Sequence, residues 1–574
     1  MKEYHLLAVL EEKLGGSRYH RIKLPLSSVD NKIIKIEEEE HTVKVTFKDS
    51  TMLEEEDFKN NDMIYFNWSL QNGVNWISHM AQQHNVKVIQ DVDDFWMLPK
   101  KHIQKKVDYS KVPLFSSIAD GLVVATNKLA LNLSKINDNI CINYNDLPVG
   151  EGQFQIVDRP KNEGKVRIGI CGSVSHLHDY QSIKNNLKQI SKDRKIKDKC
   201  KFVICGYVKG DKNWDKIINL FTFEGFELEL HEAKNIENYM ELYSNIDILL
   251  APLSPSEFAE CKSALKIMEA SLHGIVVIAS GEYEKKEVNT CLIARKSSDY
   301  YKLVKQLVEG NVWYELGKEL SKETLDVINF NERIKKLTSF IELTANKKVI
   351  CPDNLKMYSI IYDKDQFTEY EKYDNSHITT VEQKSYLFEV NPIIDIIDNK
   401  IDDLKDDDYL GILSWKYSIK MNIPKPLFYK MTKELMVGSP DVINVSRFKW
   451  QHNYLAWTEV QHPGFLEIFE FLCVKLGLKM IEPTIPIHSN YFIAKKDIYV
   501  KYVNEILKPA VELLETDEYL VSKVFNDANY PTGLSKEDLK KYTGLEHYTY
   551  HTFVLERLFS VWLENNKYIT INSL

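Results

Sequence analysis

Short apolar runs alternate with segments whose apolar positions recur every three or four residues, and this alternation continues from the first residues to about position 345. YHLLAVL, MIYFNW, VKVIQDV and GLVVAT read as strands, and QNGVNWISHMAQQHN and NKLALNLSKIN, between or after them, as helices. Strands alternating with helices predict parallel βαβ units and a doubly wound sheet. Periodicity is lost over CINYNDLPVGEGQ, which reads as a hinge or linker.

A second series starts at Lys165 with the strand VRIGICGS. The helix SIKNNLKQISKD, the strand KFVICGY, a helix around ENYMELYSN, the strand DILLAPL, another helix and the strand IVVIAS follow. This is a second Rossmann-like unit, closed by helices through about residue 345. Two such units in tandem place a cleft between the carboxyl ends of their sheets. After about residue 350 aromatic residues become frequent, an acidic stretch IIDNKIDDLKDDDYLGILSW appears, and the end HTFVLERLFSVWLENN has helical character. The expected division is therefore 1–155, 163–345 and 350–574, the last a separate α/β or α+β domain.

A chain of 574 residues is long enough for several buried cores. With 44% hydrophobic and 27% charged residues and only 17 Pro and 22 Gly, long disordered regions are not expected. The net charge of −9 argues against a uniformly basic nucleic-acid binder, while a local basic patch from LPKKHIQKK or SKDRKIKDK is allowed. The cysteines form no CxxC pair, and Cys171 and Cys205 sit inside strand-like runs, which suits reduced thiols in a cytoplasm-like compartment. The start, MKEYHLLAVLEEKLGG, is too acidic for a signal peptide, and no run approaches the ~18 apolar residues of a spanning helix. A protein without an integral membrane segment, in a bacterial or phage-infected host cytoplasm, is the expectation.

Candidate chemistry concentrates in ECKSALKIMEASLHGIVVIAS. Lys262, Lys266 and Glu269 are spaced i, i+4, i+7 and share one helix face, while Leu265, Ile267, Met268 and Leu272 cover the side toward the sheet. The helix would open at the carboxyl edge of the sheet, where α/β proteins bind ligands and a helix N-terminus favours phosphate. Lysines there neutralise a diphosphate, and a glutamate accepts from ribose hydroxyls. A solvated face with a Lys–Glu salt bridge fits the spacing equally well.

The longer stretch DILLAPLSPSEFAECKSALKIMEASLHGIVVIAS resembles the donor-binding segment of retaining GT-B glycosyltransferases, with Glu269, Ala270, Gly274 and Val276–Ala279 in the family's order. It is closest to a phage and bacterial subgroup with a KS...K..E pattern, met here by Lys262, Ser263, Lys266 and Glu269. Cys261 stands where many relatives carry a first glutamate, with Glu257 and Glu260 nearby as stand-ins. In IGICGSVSHLHDY, Gly172 and Ser173 match the loop whose amides approach phosphate, and His176 and Asp179 follow as in the subgroup. A metal site from His176 and His178 is the competing reading of that block. KLGGSRYHRIKLPL resembles the acceptor-side glycine loop, with Gly15 and Gly16 for a tight turn and Arg18 or Arg21 for charge. VIQDVDDFWMLPKKH puts Asp91, Asp93 and Asp94 at a strand end; Asp93 or Asp94 would lie close to the anomeric centre, or else they cap a helix with Trp96 in the core.

The resemblance implies two Rossmann-like domains in GT-B arrangement and sugar transfer from a nucleotide-diphosphate sugar, the co-substrate, with no permanently bound cofactor and no metal requirement. The acceptor would be a glycan or a hydroxylated base in phage DNA. Lys262 and Lys266 would stabilise the departing diphosphate, and domain closure would exclude water. A catalytically degenerate scaffold that binds carbohydrate or DNA is the alternative. In the last domain, DDDYLGILSWKYSIK and SNYFIAKKDIYVKY resemble GT-A-like domains; Asp406–Asp408 would then be a degenerate metal–diphosphate site, or simply a solvated loop. His551, Glu556 and Arg557 fit helix packing and surface charge equally well.

Overall fold

The computed structural model describes residues 2–11, 15–70, 74–84, 86–100, 102, 112–347, 352–361, 377–380, 385–414, 417–421, 425–446, 453–530 and 533–572. They divide into two compact units, Met1–Ala81 with Val86–Lys347, and Gln82–Asn85 with Lys348–Leu574.

Among the described residues, the first unit holds two sheets. The first contains β1 (Lys2–Leu10), β2 (Ile33–Ile36), β3 (Glu39–Asp49), β4 (Met63–Asn67), β5 (Lys87–Val92), β6 (Gly121–Val124) and β7 (Ile140–Ile142), in the order β2-β3-β1-β4-β5-β6-β7. Every neighbouring pair is parallel except the β2–β3 hairpin. The second contains β8 (Val166–Cys171), β9 (Cys200–Tyr207), β10 (Leu228–Glu232), β11 (Ile248–Ala251), β12 (Val276–Ser280) and β13 (Leu292–Ala294), in the order β10-β9-β8-β11-β12-β13, all parallel. In both sheets the direction of winding reverses beside the first strand, between β1 and β4 and between β8 and β11. Loops leave such a point in opposite directions and open a crevice at the carboxyl edge.

The central strands are apolar without alternation because both faces are covered. Leu7, Ile64 and Leu122 pack on one side of the first sheet, and Leu6, Met63, Tyr65 and Ile89 on the other. The β2–β3 hairpin was not foreseen. Its two-residue turn is Glu37–Glu38, at φ 49° and 68°, a conformation that Asn-Gly usually signals and that two glutamates conceal. The predicted linker begins inside β7, and the chain then runs without regular structure through residues 143–165, with Leu147 and Phe154 buried in the core beside β8 and β9.

The last helix of the unit, Phe330–Ala345, packs Ile334, Leu337, Phe340 and Ile341 against the first sheet, so the chain returns from the second domain to the first. Gly121 makes room for it: a Cβ there would lie 2.7 Å from the Phe340 ring. Arg333, buried in the same helix, donates to the carbonyls of His20 and Asp146.

The second unit is built on a mixed sheet of β14 (Leu355–Ile361), β15 (His377–Thr380), β16 (Tyr409–Ser414), β17 (Val442–Asn444), β18 (Phe492–Lys495) and β19 (Thr570–Asn572), ordered β15-β14-β16-β18-β17-β19. The helix Tyr550–Asn566 supplies Phe553, Leu558 and Trp562 to its core. Asp406–Asp408 lie in the turn before β16, at the amino end of that strand, and Asp408 Oδ2 accepts from the Lys405 amide at 2.9 Å. His551 and Arg557 are buried, and Arg557 stacks on Tyr454 and pairs with Glu556. Among the described residues, no helix is long and apolar enough to cross a membrane.

Candidate active site

The carboxyl edges of the two sheets of the first unit face one cavity of about 1150 Å³. The first sheet contributes Glu11, Gly15, Gly16, Ser17 and Arg18 after β1, Trp68–Leu70 after β4, and Asp93 and Asp94 after β5. The second contributes Gly172–His176 after β8, Gly206 at the end of β9 and Val208 just beyond it, Lys262, Ser263, Lys266 and Glu269 after β11, and Tyr283 after β12. Gly15, Gly16, Arg18, Asp93, Asp94, Gly172, Ser173, His176, Lys262, Ser263, Lys266 and Glu269, the residues singled out in the sequence, thus surround a single space.

The lysine-bearing segment is not one helix. A first helix, Glu257–Cys261, ends at Lys262, which is extended (φ −65°, ψ 144°), and a second runs over Leu265–Ser271. Only Lys266 and Glu269 share a helix face; Lys262 reaches the cavity from the break. Its Nζ binds Asp94 Oδ2 at 2.6 Å across the cleft and lies 4.6 Å from the Phe258 ring centre. The pair forms because each partner is partly withdrawn from water, and Asp94 together with Asp93 keeps Lys262 protonated against its burial. Ser263 Oγ accepts from Asn145, whose own oxygen accepts from Arg21.

Lys266 has no hydrogen bond or ion pair among the described residues. Burial lowers its pKa, partly opposed by Cys171, Asp179 and Glu269. Its ammonium stands over the β8 turn: a Cβ on Gly172 would come within 3.1 Å of it, and Gly172 has φ +148°, where side chains are rarely tolerated. Behind the turn, His176 Nδ1 is 2.8 Å from Asp179 Oδ2, and the other Asp179 oxygen accepts from the Ser254 amide. Burial, with Lys266 close by, pushes His176 down to about 3, so its imidazole is neutral. Among the described residues, no group of three or more His, Cys, Asp or Glu is placed to hold a metal ion.

Glu269 is buried, and its two oxygens accept from the hydroxyls of Tyr239 and Tyr243. Burial raises its pKa against those hydrogen bonds. His20 Nε2, from the first domain, lies 2.9 Å from the Tyr239 hydroxyl. The sequence does not single out these tyrosines; ENYMELYSN reads as a helix, and it forms a 3-10 helix that brings both hydroxyls inward.

On the first-domain wall, Asp93 accepts from Asn67 Nδ2 at 3.0 Å and from Trp68 Nε1 at 2.9 Å. Despite burial, hydrogen bonds from Asn67 and Ser17 hold its carboxyl below the usual range. Asp94 is raised, by burial above all. Among the described residues directly after Asp94, 95–100, none is helical, which speaks against the capping reading; Trp96 is only partly buried. Asp91 does not line the cavity. It is fully buried and neutralises Arg21, which therefore supplies no free charge. Arg18 is paired with Glu11 at 2.6 Å. Gly15 and Gly16 have no positive φ, and Gly16 opens a helix; their lack of side chains leaves room rather than permitting a turn. Cys261 is buried in the core, Glu257 binds Asn132, and Glu260 pairs with Lys128, so neither glutamate replaces the missing one in the cavity.

Two Rossmann-like domains whose carboxyl edges face one another across a cleft define the GT-B arrangement, and the first unit has it. Parts of the chain are similar to HepE of Anabaena in complex with UDP and glucose, at 10% identity over 59% of this chain and 100% of that chain, TM-score 0.43. Another similar structure is the trehalose-6-phosphate synthase OtsA, at 12% identity over 60% of this chain and 99% of that chain, TM-score 0.42. A third is TarM of S. aureus, at 14% identity and TM-score 0.37, over 48% of this chain and 54% of that chain, so about half of TarM's length is matched. No family model and no curated protein matches the sequence.

Proposed function

We propose that residues 1–345 form a glycosyltransferase that moves a sugar from a nucleotide-diphosphate sugar to a hydroxyl acceptor, residues 1–155 on the acceptor side and 163–345 on the donor side. One observation carries this reading. Lys266, a cation without a partner among the described residues, stands over the side-chain-free Gly172 turn, in the same cavity as the carboxylates Asp93 and Asp94. An ammonium partly withdrawn from water is stabilised when a negative charge joins it, and a diphosphate supplies that charge.

In transfer, the bond between the anomeric carbon and the phosphate oxygen breaks with its electron pair leaving on the diphosphate, while the acceptor oxygen bonds to the carbon and passes its proton to the departing diphosphate. Lys266 and Lys262 stabilise the charge that grows on the leaving group, an effect worth several kcal/mol in a water-poor site. The ionised Asp93 lines the same cavity from the first-domain wall, suited to the positive character of the sugar and to the acceptor hydroxyl. The outcome we propose is retention.

The first-domain wall favours a glycan hydroxyl over a base in DNA. Its lining carboxylates are Glu11, Asp93 and Asp94, while Arg18 and Arg21 are already paired. Of the basic segment LPKKHIQKK, Lys101, Lys105 and Lys106 lie outside the described residues. In SKDRKIKDK, Asp193 binds Lys305. For residues 350–574 we propose an accessory domain related in fold to GT-A enzymes.

A thermal-shift screen with UDP-, GDP-, ADP- and CMP-linked sugars tests the reading, since a ligand of the native state raises the midpoint. One donor is expected to raise it and to be hydrolysed slowly, with both effects lost in Lys266→Ala. Binding without any turnover would mark a carbohydrate-binding scaffold instead, and retention of both effects in the variant would refute the site.

A further inference from the structure

The two lysines of the cavity are not equivalent. Lys266 has no anionic partner among the described residues, whereas Lys262 is held by Asp94 at 2.6 Å, from the facing domain. The contact depends on the break in the helix: at φ −65° and ψ 144°, Lys262 leaves the helical path and extends toward the end of β5. Asp94 has no other hydrogen-bond donor among the described residues, and both side chains retain some contact with solvent, at 21% for Lys262 and 25% for Asp94. Neither partner is locked in place as Asp91 is, which accepts from Arg21, Tyr65 and Asn67 together.

We infer that Asp94 and the donor diphosphate compete for the Lys262 ammonium, so that engaging Lys262 means exchanging a carboxylate from one domain for a phosphate held by the other. This rests on the reading of the cavity as a nucleotide-diphosphate-sugar site. Lys266 anchors the donor in the ground state, because no partner has to be displaced from it. Lys262 transfers to the diphosphate as charge accumulates on the leaving group and outweighs the single charge of Asp94. Such an interaction strengthens along the reaction and lowers the barrier, which equal binding of substrate and transition state does not do. Asp94, released, is left on the first-domain wall beside Asp93. Asp94 is in this sense a positioning residue, acting through Lys262.

The test is calorimetric binding of UDP, GDP, ADP and inorganic pyrophosphate to the full chain and to Asp94→Asn, Asp94→Glu, Lys262→Gln and the Asp94→Asn/Lys262→Gln double variant, each checked by melting. Asp94→Asn is expected to bind the preferred diphosphate about tenfold more tightly, as removal of a competing close charge predicts. Asp94→Glu restores the weaker affinity, and the gain disappears in the Lys262→Gln background, the coupling expected of a direct pair. A purely structural role for Asp94 predicts no such coupling. Unchanged or weaker binding by a folded Asp94→Asn overturns the inference while leaving the donor site intact. Failure of every probe to bind the wild-type chain overturns the site itself, and the inference with it.

Discussion

Arg21 holds Asp91 through both Nε and Nη2, the closest contact being 2.9 Å, and neither side chain reaches solvent. The pair lies just beneath the cavity and organises its wall. Asp91 also accepts from Tyr65 and Asn67, and Asn67 in turn donates to Asp93; Arg21 Nη1 donates to the Asn143 carbonyl and to Asn145, which binds Ser263. Removing one partner strands a buried charge, whereas replacing both need not. Asp91→Asn is expected to destabilise the first unit by roughly 3–5 kcal/mol, and Arg21→Met/Asp91→Leu by clearly less than the two single changes together. Denaturant unfolding of the four chains measures the difference, and simple additivity would contradict a buried pair.

Glu269 depends on its tyrosines. Tyr243→Phe leaves a buried carboxylate oxygen without its donor and is expected to cost about 1–3 kcal/mol. The same change raises the glutamate's proton affinity further, since the lost hydrogen bond favoured the ionised form. Chemical denaturation, together with NMR titration of the Glu269 carboxyl carbon, would detect both effects.

Gly172 is a position where a single methyl group reports on the donor site. At φ +148° an alanine is strained, by about 1–3 kcal/mol for such a conformation, and its Cβ would also press on the Lys266 ammonium. Gly172→Ala should therefore lose the thermal shift given by the preferred donor while remaining folded at 25 °C. An undiminished shift would place the diphosphate elsewhere.

Acid lowers the stability of this fold through its histidines. His20 and His176 are pushed from an ordinary 6.5 to about 3 by burial, reinforced by Arg333 and Arg21 at His20 and by Lys266 at His176. Their folded-state pKa values are depressed, so between about pH 6.5 and 3 the unfolded chain binds more protons and stability falls as pH falls. Each can contribute at most about 1.4 kcal/mol per pH unit in that window. Urea unfolding at several pH values should show a slope that His20→Asn reduces by about one proton.

The crossing helix can be tested at β6. Gly121→Ala would place a methyl 2.7 Å from the Phe340 ring, and overpacking of this kind costs about 1–3 kcal/mol. Phe340→Leu in the same chain should recover part of that loss, measured by melting, because the shorter side chain vacates the space.

The central strands of both Rossmann-like sheets are legible because fully buried parallel strands are continuous apolar runs, as in β4 and β12, whereas the short, partly exposed strands β7, β10 and β13 toward the edges are not. The β2–β3 hairpin escaped notice because Glu37 and Glu38 occupy a turn whose usual residues are Gly and Asn. The lysine segment reads as one helix in the sequence and is two in the structure. Spacing i, i+4, i+7 says nothing about whether the backbone stays helical between positions 262 and 266; at the break, the Cys261 carbonyl accepts from the Thr126 hydroxyl of the first domain, a partner far away in sequence.

Composition, periodicity and the glycine and lysine blocks determined that two βαβ series follow one another, and which loops carry charge at their carboxyl ends. Tertiary structure alone decided how those charges are shared. Asp91 is spent on Arg21, Asp94 reaches Lys262, Glu269 is held by Tyr239 and Tyr243, and Lys266 is left unmatched among the described residues. The reason is physical: hydrophobic period is a local property of the chain, while the partner of a buried charge is whatever the packing of distant segments brings within about 3 Å of it.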